Sequence, residues 1–295
     1  MPKILFLKTP ENFSFRRTIF SHGWCELLPF ELDKENWRLG YVFSGAEMEN
    51  PVSATMSDAG GRVKIEISGG TNKKTEEKIL RDARRVLRLD DDLDEFYELT
   101  RTEKRLDWVG ETNAGRMLRS ATVFEDLVKT ICTTNCSWAL TKKMTTNLVE
   151  KLGEQSENGK RAFPTAEAMA SVPIEFYKDE MRAGYRAAFF AELAEKVASG
   201  KLNPESWLAS DLPINELKKE MKSVKGVGEY AADNLLKLVG RYDGLALDSW
   251  LRSQFYKKHN GGTICADGEI KKFYESFGAW RGLVMWCDMT EKWFV

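Results

Sequence analysis

The 295-residue sequence has no apolar run approaching the roughly 20 residues that span a bilayer, so no membrane segment is expected. Its start, MPKILFLKTP, carries a short apolar stretch but no long hydrophobic core and no small-residue cleavage site, and no secretory signal is expected. Basic charge is not in excess: 44 Lys and Arg stand against 45 Asp and Glu, for a net charge of −1 and a pI near 6.3. That balance excludes nucleic-acid binding through a uniformly basic surface. It leaves room for a local patch with oriented backbone donors. Cysteine is sparse. Cys25, Cys132, Cys136, Cys265 and Cys287 are odd in number and scattered, which suits reduced thiols inside a cell. Cys132 and Cys136 stand a helical turn apart, but no second pair at ligand spacing follows, so neither metal nor cofactor is expected. A linker rich in Pro, Gly or Ser is also missing. With 42% hydrophobic and 30% charged residues, what remains is a soluble globular chain long enough for two cores.

From Lys3 to Ser68 the segments KILFLK, SFRRTIF, WRLGYVF, VSATM and RVKIEIS are short, partly alternating and rich in aromatic and β-branched residues. Turn residues at Asp33-Lys34-Glu35-Asn36 and Ala59-Gly60-Gly61 separate them. They predict an antiparallel sheet, with Arg16 and Arg17 as solvated charges on an edge strand. Ile79, Ala83, Val86 and Leu87 then recur at helical spacing, so a helix leaves the sheet over 72–89. After Met117 the pattern is helical, including a helix from Trp138 to Leu152 closed by Gly153 and an amphipathic run from Ala187 to Ala198. The fold class is α+β: an N-terminal antiparallel β-sheet domain with flanking helices over 1–110, then an all-helical domain over 111–295.

The most informative stretch is 217–248. Leu217, Met221 and Val224 recur at helical spacing, as do Tyr230, Asn234 and Lys237, on either side of the turn Lys225-Gly226-Val227-Gly228. This predicts a helix-hairpin-helix over 217–240. Gly226 and Gly228 let another backbone approach closely, and Val227 can pin the turn to the core. The N–H groups opening the second helix favour an anion such as a DNA phosphate. In the loop 245–250, Asp248 sits between an apolar approach and a renewed helical pattern, where it reads as an N-cap.

The hairpin, its Gly-Val-Gly turn and an Asp about twenty residues later together resemble the helix-hairpin-helix (HhH-GPD) DNA glycosylases, particularly the 3-methyladenine and 8-oxoguanine enzymes. The resemblance runs from Met117 to Phe294 and implies that Asp248 is the catalytic carboxylate. It implies DNA contacts at Gly226, Val227 and Gly228, and at Gly184-Tyr185-Arg186, with Tyr185 as wedge beside the vacated base and Arg186 on the orphaned partner. Asn135, after Ile131-Cys132-Thr133-Thr134, resembles the residue that fills the gap left by the extruded nucleotide. Tyr230, Asn234 and Trp286 are the implied base pocket. The four closely spaced C-terminal cysteines that hold an iron–sulfur cluster in some relatives are missing.

The implied reaction breaks a C–N glycosidic bond after the nucleotide is flipped from the stack. A carboxylate ~4 Å from the developing sugar cation contributes about 4 kcal/mol at an effective dielectric near 20, roughly a thousandfold in rate. Bifunctional relatives carry a Lys where Tyr230 stands, so a monofunctional, water-dependent enzyme without strand cleavage is expected. The pocket Gln of the 8-oxoguanine branch falls at Gly282, and one of its two cytosine-facing arginines falls at Leu140. Both departures favour alkylated purines of the 3-methyladenine or 7-methylguanine type. The alternatives are an 8-oxoguanine-type glycosylase, or a non-catalytic DNA-binding module in which Asp248 only caps its helix. The expected partner is double-stranded DNA containing a damaged base, bound by a monomer without a membrane. The expected location is the cytoplasmic nucleoid of a bacterium or the nucleus of a eukaryote.

Overall fold

The structure, a computed structural model, describes residues 3–294. Strands β1 (Lys3–Lys8), β2 (Glu31–Asp33), β3 (Arg38–Phe43), β4 (Val52–Asp58) and β5 (Arg62–Ser68) form one sheet in the order β1-β5-β4-β3-β2, every neighbouring pair antiparallel. The helices run along the chain as α1 (Phe15–Ile19), α2 (Lys73–Val86), α3 (Asp94–Thr100), α4 (Asp107–Glu111), α5 (Val123–Thr133), α6 (Trp138–Leu152) and α7 (Ala166–Ala170). They continue as α8 (Ala187–Ala198), α9 (Ile214–Lys222), α10 (Glu229–Leu238), α11 (Ser249–His259), α12 (Asp267–Phe273) and α13 (Arg281–Thr290). The class is α+β. None of the described helices is long and apolar enough to cross a membrane.

One local expectation is corrected. SFRRTIF is not a strand but α1: Phe15, Thr18 and Ile19 are its buried residues, a spacing that suits one helical face, and Ser14 caps it by accepting from the Arg17 N–H. Arg16 accordingly lies over the Trp37 ring at 4.0 Å and not on a sheet edge. α6 does end at Gly153, its C-cap, whose N–H donates to Val149 O, with φ at −67° and so not left-handed. A glycine is needed because a Cβ would meet the Ala162 carbonyl oxygen at 2.1 Å. The short β2 had no pattern of its own, although the turn after it is tied by Asp33 accepting from the Glu35 and Asn36 N–H groups.

The division expected near residue 110 follows the change from strands to helices, whereas compactness groups the chain differently. One unit comprises 1–90 with 116–207, and the other 91–115 with 208–295. In the first unit β5 alternates cleanly, with Val63, Ile65 and Ile67 buried between more exposed Arg62, Lys64 and Glu66. A buried charge cluster joins its sheet to its helices. Glu125 and Lys129, one turn apart on α5, pair at 2.6 Å, and the Tyr41 hydroxyl on β3 donates to Glu125 at 2.6 Å. The Lys129 ammonium lies over the Phe30 ring at 4.6 Å. Removing one partner strands the other charge in the core. Lys129→Met is therefore expected to destabilise the protein by about 3–5 kcal/mol, and the double replacement Glu125→Leu/Lys129→Met by far less, as measured by urea denaturation.

In the second unit the hub is Asp288 on α13, 1% exposed. It accepts from Arg105 Nη1 at 2.6 Å, the Tyr274 hydroxyl at 2.6 Å and His259 Nε2 at 2.8 Å, with Lys258 Nζ also 2.8 Å away. Burial would raise its carboxyl, but hydrogen bonds from His259, Lys258 and Tyr274 and the charge of Arg105 hold it well below the carboxylate range. Because the folded value is the lower one, this stabilisation is complete above the unfolded value of about 4 and is lost as pH falls through the folded one. Wild type should exceed Asp288→Asn in stability at pH 7, and the gap should narrow steadily below about pH 4 in denaturation curves.

Candidate active site

The helix-hairpin-helix forms as α9, residues 223–228 and α10. Leu217, Met221 and Val224 are buried on one side of it, and Ala231, Leu235 and Leu238 on the other. Gly226 has φ +90°, a conformation that disfavours any side chain, and Val227 is buried between the two glycines. Gly228 is the N-cap of α10 and offers no side-chain acceptor; a Cβ there would meet nothing within 4 Å. No side chain caps that first turn, and N–H groups at a helix start favour an anion. Glu229 would repel one, but Lys218 and Lys222 both pair with it, and their hydrogen bonds hold its carboxyl down to about 2. Lys218 also pairs with Asp233, so the acids that open α10 are matched by lysines of α9.

The segment 241–248 that carries the chain from α10 to α11 has no regular structure. Side chains and helix ends hold it instead. Tyr242 O accepts from the Gly282 N–H at 2.7 Å, and Asp243 O from Arg281 Nε at 2.5 Å. Asp233 Oδ2 accepts from the Ala246 N–H at 3.3 Å, and Lys237 Nζ donates to Leu245 O at 3.0 Å. Gly244 passes so close that a Cβ would lie 2.4 Å from Asp233 Oδ1. Ala246 has φ +52°, which costs on the order of 1 kcal/mol and persists only because its surroundings dictate it.

This clamped loop delivers Asp248 to the N-cap of α11, where Oδ1 accepts from the Leu251 N–H at 2.7 Å. Oδ2 has no hydrogen-bond partner among the described residues. On α10, Tyr230 and Asn234 are half-buried and share a face with the buried Lys237, and the Asn234 amide donates to Tyr230 O at 3.0 Å. Trp286 is half-buried too, and sequence reasoning missed its company. The rings of Trp250, Trp286 and Trp293 lie 5.6–6.1 Å apart, centroid to centroid, in a mutual cluster. Trp293 lies seven residues beyond Trp286, two helical turns, and Trp250 two residues beyond Asp248; those spacings were the available signal.

In the first unit the structure brings Asn135, Tyr185 and Arg186 together. Asn135 is exposed with φ +48°, directly after Thr134 at the end of α5. Arg186 is 3% exposed; its guanidinium donates to the Thr134 carbonyl and, at 3.3 Å, to the Thr134 hydroxyl, while lying 4.5 Å from the centroid of the Tyr185 ring. Tyr185 is 59% exposed, braced edge-on by Phe189. Arg186 thus acts on its neighbours, and Asn135 and Tyr185 are the side chains presented to solvent. Among the described residues no group of three or more His, Cys, Asp or Glu is placed to hold a metal ion. Burial pushes the Cys132 thiol up to about 12, so it is protonated at neutral pH, and Cys136 donates to the Cys132 carbonyl at 3.0 Å.

The five-stranded antiparallel sheet, with a helical remainder that carries a Gly-x-Gly hairpin and an Asp-capped helix, is a fold that the chain shares with solved structures. Among solved structures the chain is similar to a 3-methyladenine DNA glycosylase from Archaeoglobus fulgidus, with a TM-score of 0.76 and 19% identity over 98% of this chain and 99% of that one. It is also similar to the 8-oxoguanine glycosylase/lyase of Clostridium acetobutylicum in its apo form, with a TM-score of 0.74 and 22% identity over 98% and 97% of the two chains. The same enzyme bound to double-stranded DNA with cytosine opposite 8-oxoguanine gives 0.74 and 21% over 100% and 99%. At these identities the likeness is one of fold. No protein-family model and no curated protein matches the sequence.

Gly282 has a steric reason: a Cβ would lie 2.1 Å from Gly244 O and 2.5 Å from Tyr242 O. Gly282→Ala is expected to lower stability by about 1–3 kcal/mol, read as a fall in Tm, and Gly282→Gln by more.

Proposed function

We propose that the protein is a monofunctional DNA glycosylase that extrudes a damaged purine from duplex DNA and hydrolyses its N-glycosidic bond, with alkylated purines of the 3-methyladenine or 7-methylguanine type as substrates. The carrying observation is Asp248. One of its carboxylate oxygens is committed to the α11 cap and the other is not, in the same unit as a three-tryptophan cluster and an anion-ready hairpin. The hairpin grips a phosphate, and the tryptophan rings receive the extruded base. Aromatic faces attract cations, so an alkylated, positively charged purine is retained where a neutral one is not. Such a base also leaves without prior protonation. As the C1′–N bond breaks, its electrons neutralise the base and the sugar becomes an oxocarbenium ion, which Asp248 stabilises. Water then bonds to C1′ and gives up a proton to Asp248.

Two observations favour the monofunctional and alkyl-purine assignments. Tyr230 stands at the hairpin position where bifunctional relatives have a lysine, and Lys237 is buried with its amine on Leu245 O. Gly282 leaves no space for a side chain that reads the edge of 8-oxoguanine. The bland reading, in which Asp248 only caps, is separated by Asp248→Asn, because Asn caps a helix as well as Asp does. In single-turnover assays on duplexes carrying an alkylated purine, hypoxanthine or 8-oxoguanine, wild type should release the alkylated base, with strand breakage only after alkali. Asp248→Asn should be slower by about a thousandfold with an unchanged Tm. Tight, salt-sensitive binding without release from any duplex would instead identify a non-catalytic DNA-binding module.

A further inference from the structure

Lys237 is unusual among the charged groups of the second unit. It lies on α10, seven residues past Tyr230, and is 1% exposed. Its ammonium donates to Leu245 O in the loop that ends at Asp248. The titratable and charged groups facing it come from three elements: Asp233 on its own helix, Asp248 at the start of α11, and the Cys287 thiol on α13. Asp233 is shared, since Lys218 on α9 pairs with it at 2.5 Å while its other oxygen accepts from the Ala246 N–H. Burial drives the Lys237 amine down to about 8, against the pull of Asp233, Asp248 and Cys287. The ammonium is therefore kept at a cost to stability, where a methionine of similar length would pack without one. Retaining a charge on such terms points to a task other than holding the fold together.

We propose that Lys237 is a positioning residue for base excision: it anchors the strained loop 244–247 from beneath, and so fixes where the Asp248 carboxylate stands relative to the sugar. This rests on the glycosylase reading given above. The mechanical case is specific. Leu245 O is bonded by Lys237, the next residue, Ala246, is forced to φ +52°, and Asp248 follows two residues later. If the anchor goes, the left-handed residue can relax, and a shift of the order of 1 Å at a reacting carboxylate costs roughly a hundredfold in rate.

The test compares wild type with Lys237→Met, which removes donor and charge, and Lys237→Gln, which keeps a donor without the charge. Three quantities are measured: the single-turnover rate of base release at saturating protein, the Kd for the same duplex, and stability from pH 7 to 10. Hydrogen exchange of the amides in 242–248 is followed in parallel. In Lys237→Met the rate should fall roughly a hundredfold with Kd unchanged within about twofold and the protein fully folded at the assay temperature. Lys237→Gln should recover part of the rate. Because the folded amine has the lower value, only the unfolded chain holds its proton between pH 8 and 10, so wild type should gain stability on Lys237→Met across that window. The loop amides of Lys237→Met should exchange faster. Unchanged rate and exchange would overturn the proposal and leave the glycosylase reading standing. A rate loss that merely tracks a fall in Tm would also overturn it. If wild type releases no base from any duplex, the glycosylase reading falls, and exchange in 242–248 alone decides whether Lys237 anchors the loop.

Discussion

A chain segment without helix or strand must still satisfy its backbone groups, and the structure around Asp248 is arranged to meet that requirement for residues 241–248. Carbonyls of Tyr242, Asp243 and Leu245 and the amide of Ala246 are taken by the start of α13, by Arg281, by Lys237 and by Asp233. Two helices, α10 and α13, therefore converge on one short loop, and the glycines at 244 and 282 mark the points of closest approach. The Asp248 cap, the start of α11 and the position of Trp250 all inherit their geometry from it.

Much of this was legible from sequence because it is written in local rules. Val227 between Gly226 and Gly228, the buried stripe of Leu217, Met221 and Val224, and the cap at Asp248 are each fixed by near neighbours. The strands of the sheet were legible wherever alternation is strict, as in β5. α1 was not, because aromatic and β-branched composition outweighed the spacing of Phe15, Thr18 and Ile19.

What could not be read depends on contacts far apart in the chain. Gly282 is glycine because of Gly244 and Tyr242, about forty residues earlier. Arg186 faces Thr134, some fifty residues upstream, so its burial and its hydrogen bonds there were invisible to motif reasoning. Lys237 meets Leu245 only because the loop folds back onto α10. No periodicity encodes such meetings.

α11 is held at both ends by acids with opposite duties. At its start Asp248 closes the first turn, and at its finish Lys258 and His259 are both drawn onto Asp288 of α13. An 11-residue helix is about 16 Å long. The helix therefore behaves as a strut whose far end is bolted: rotation or sliding at Asp288 is carried through the backbone to the carboxylate at its tip. Variation at Arg105, Tyr274 or His259 would then shift the Asp248 carboxylate, which none of those side chains touches.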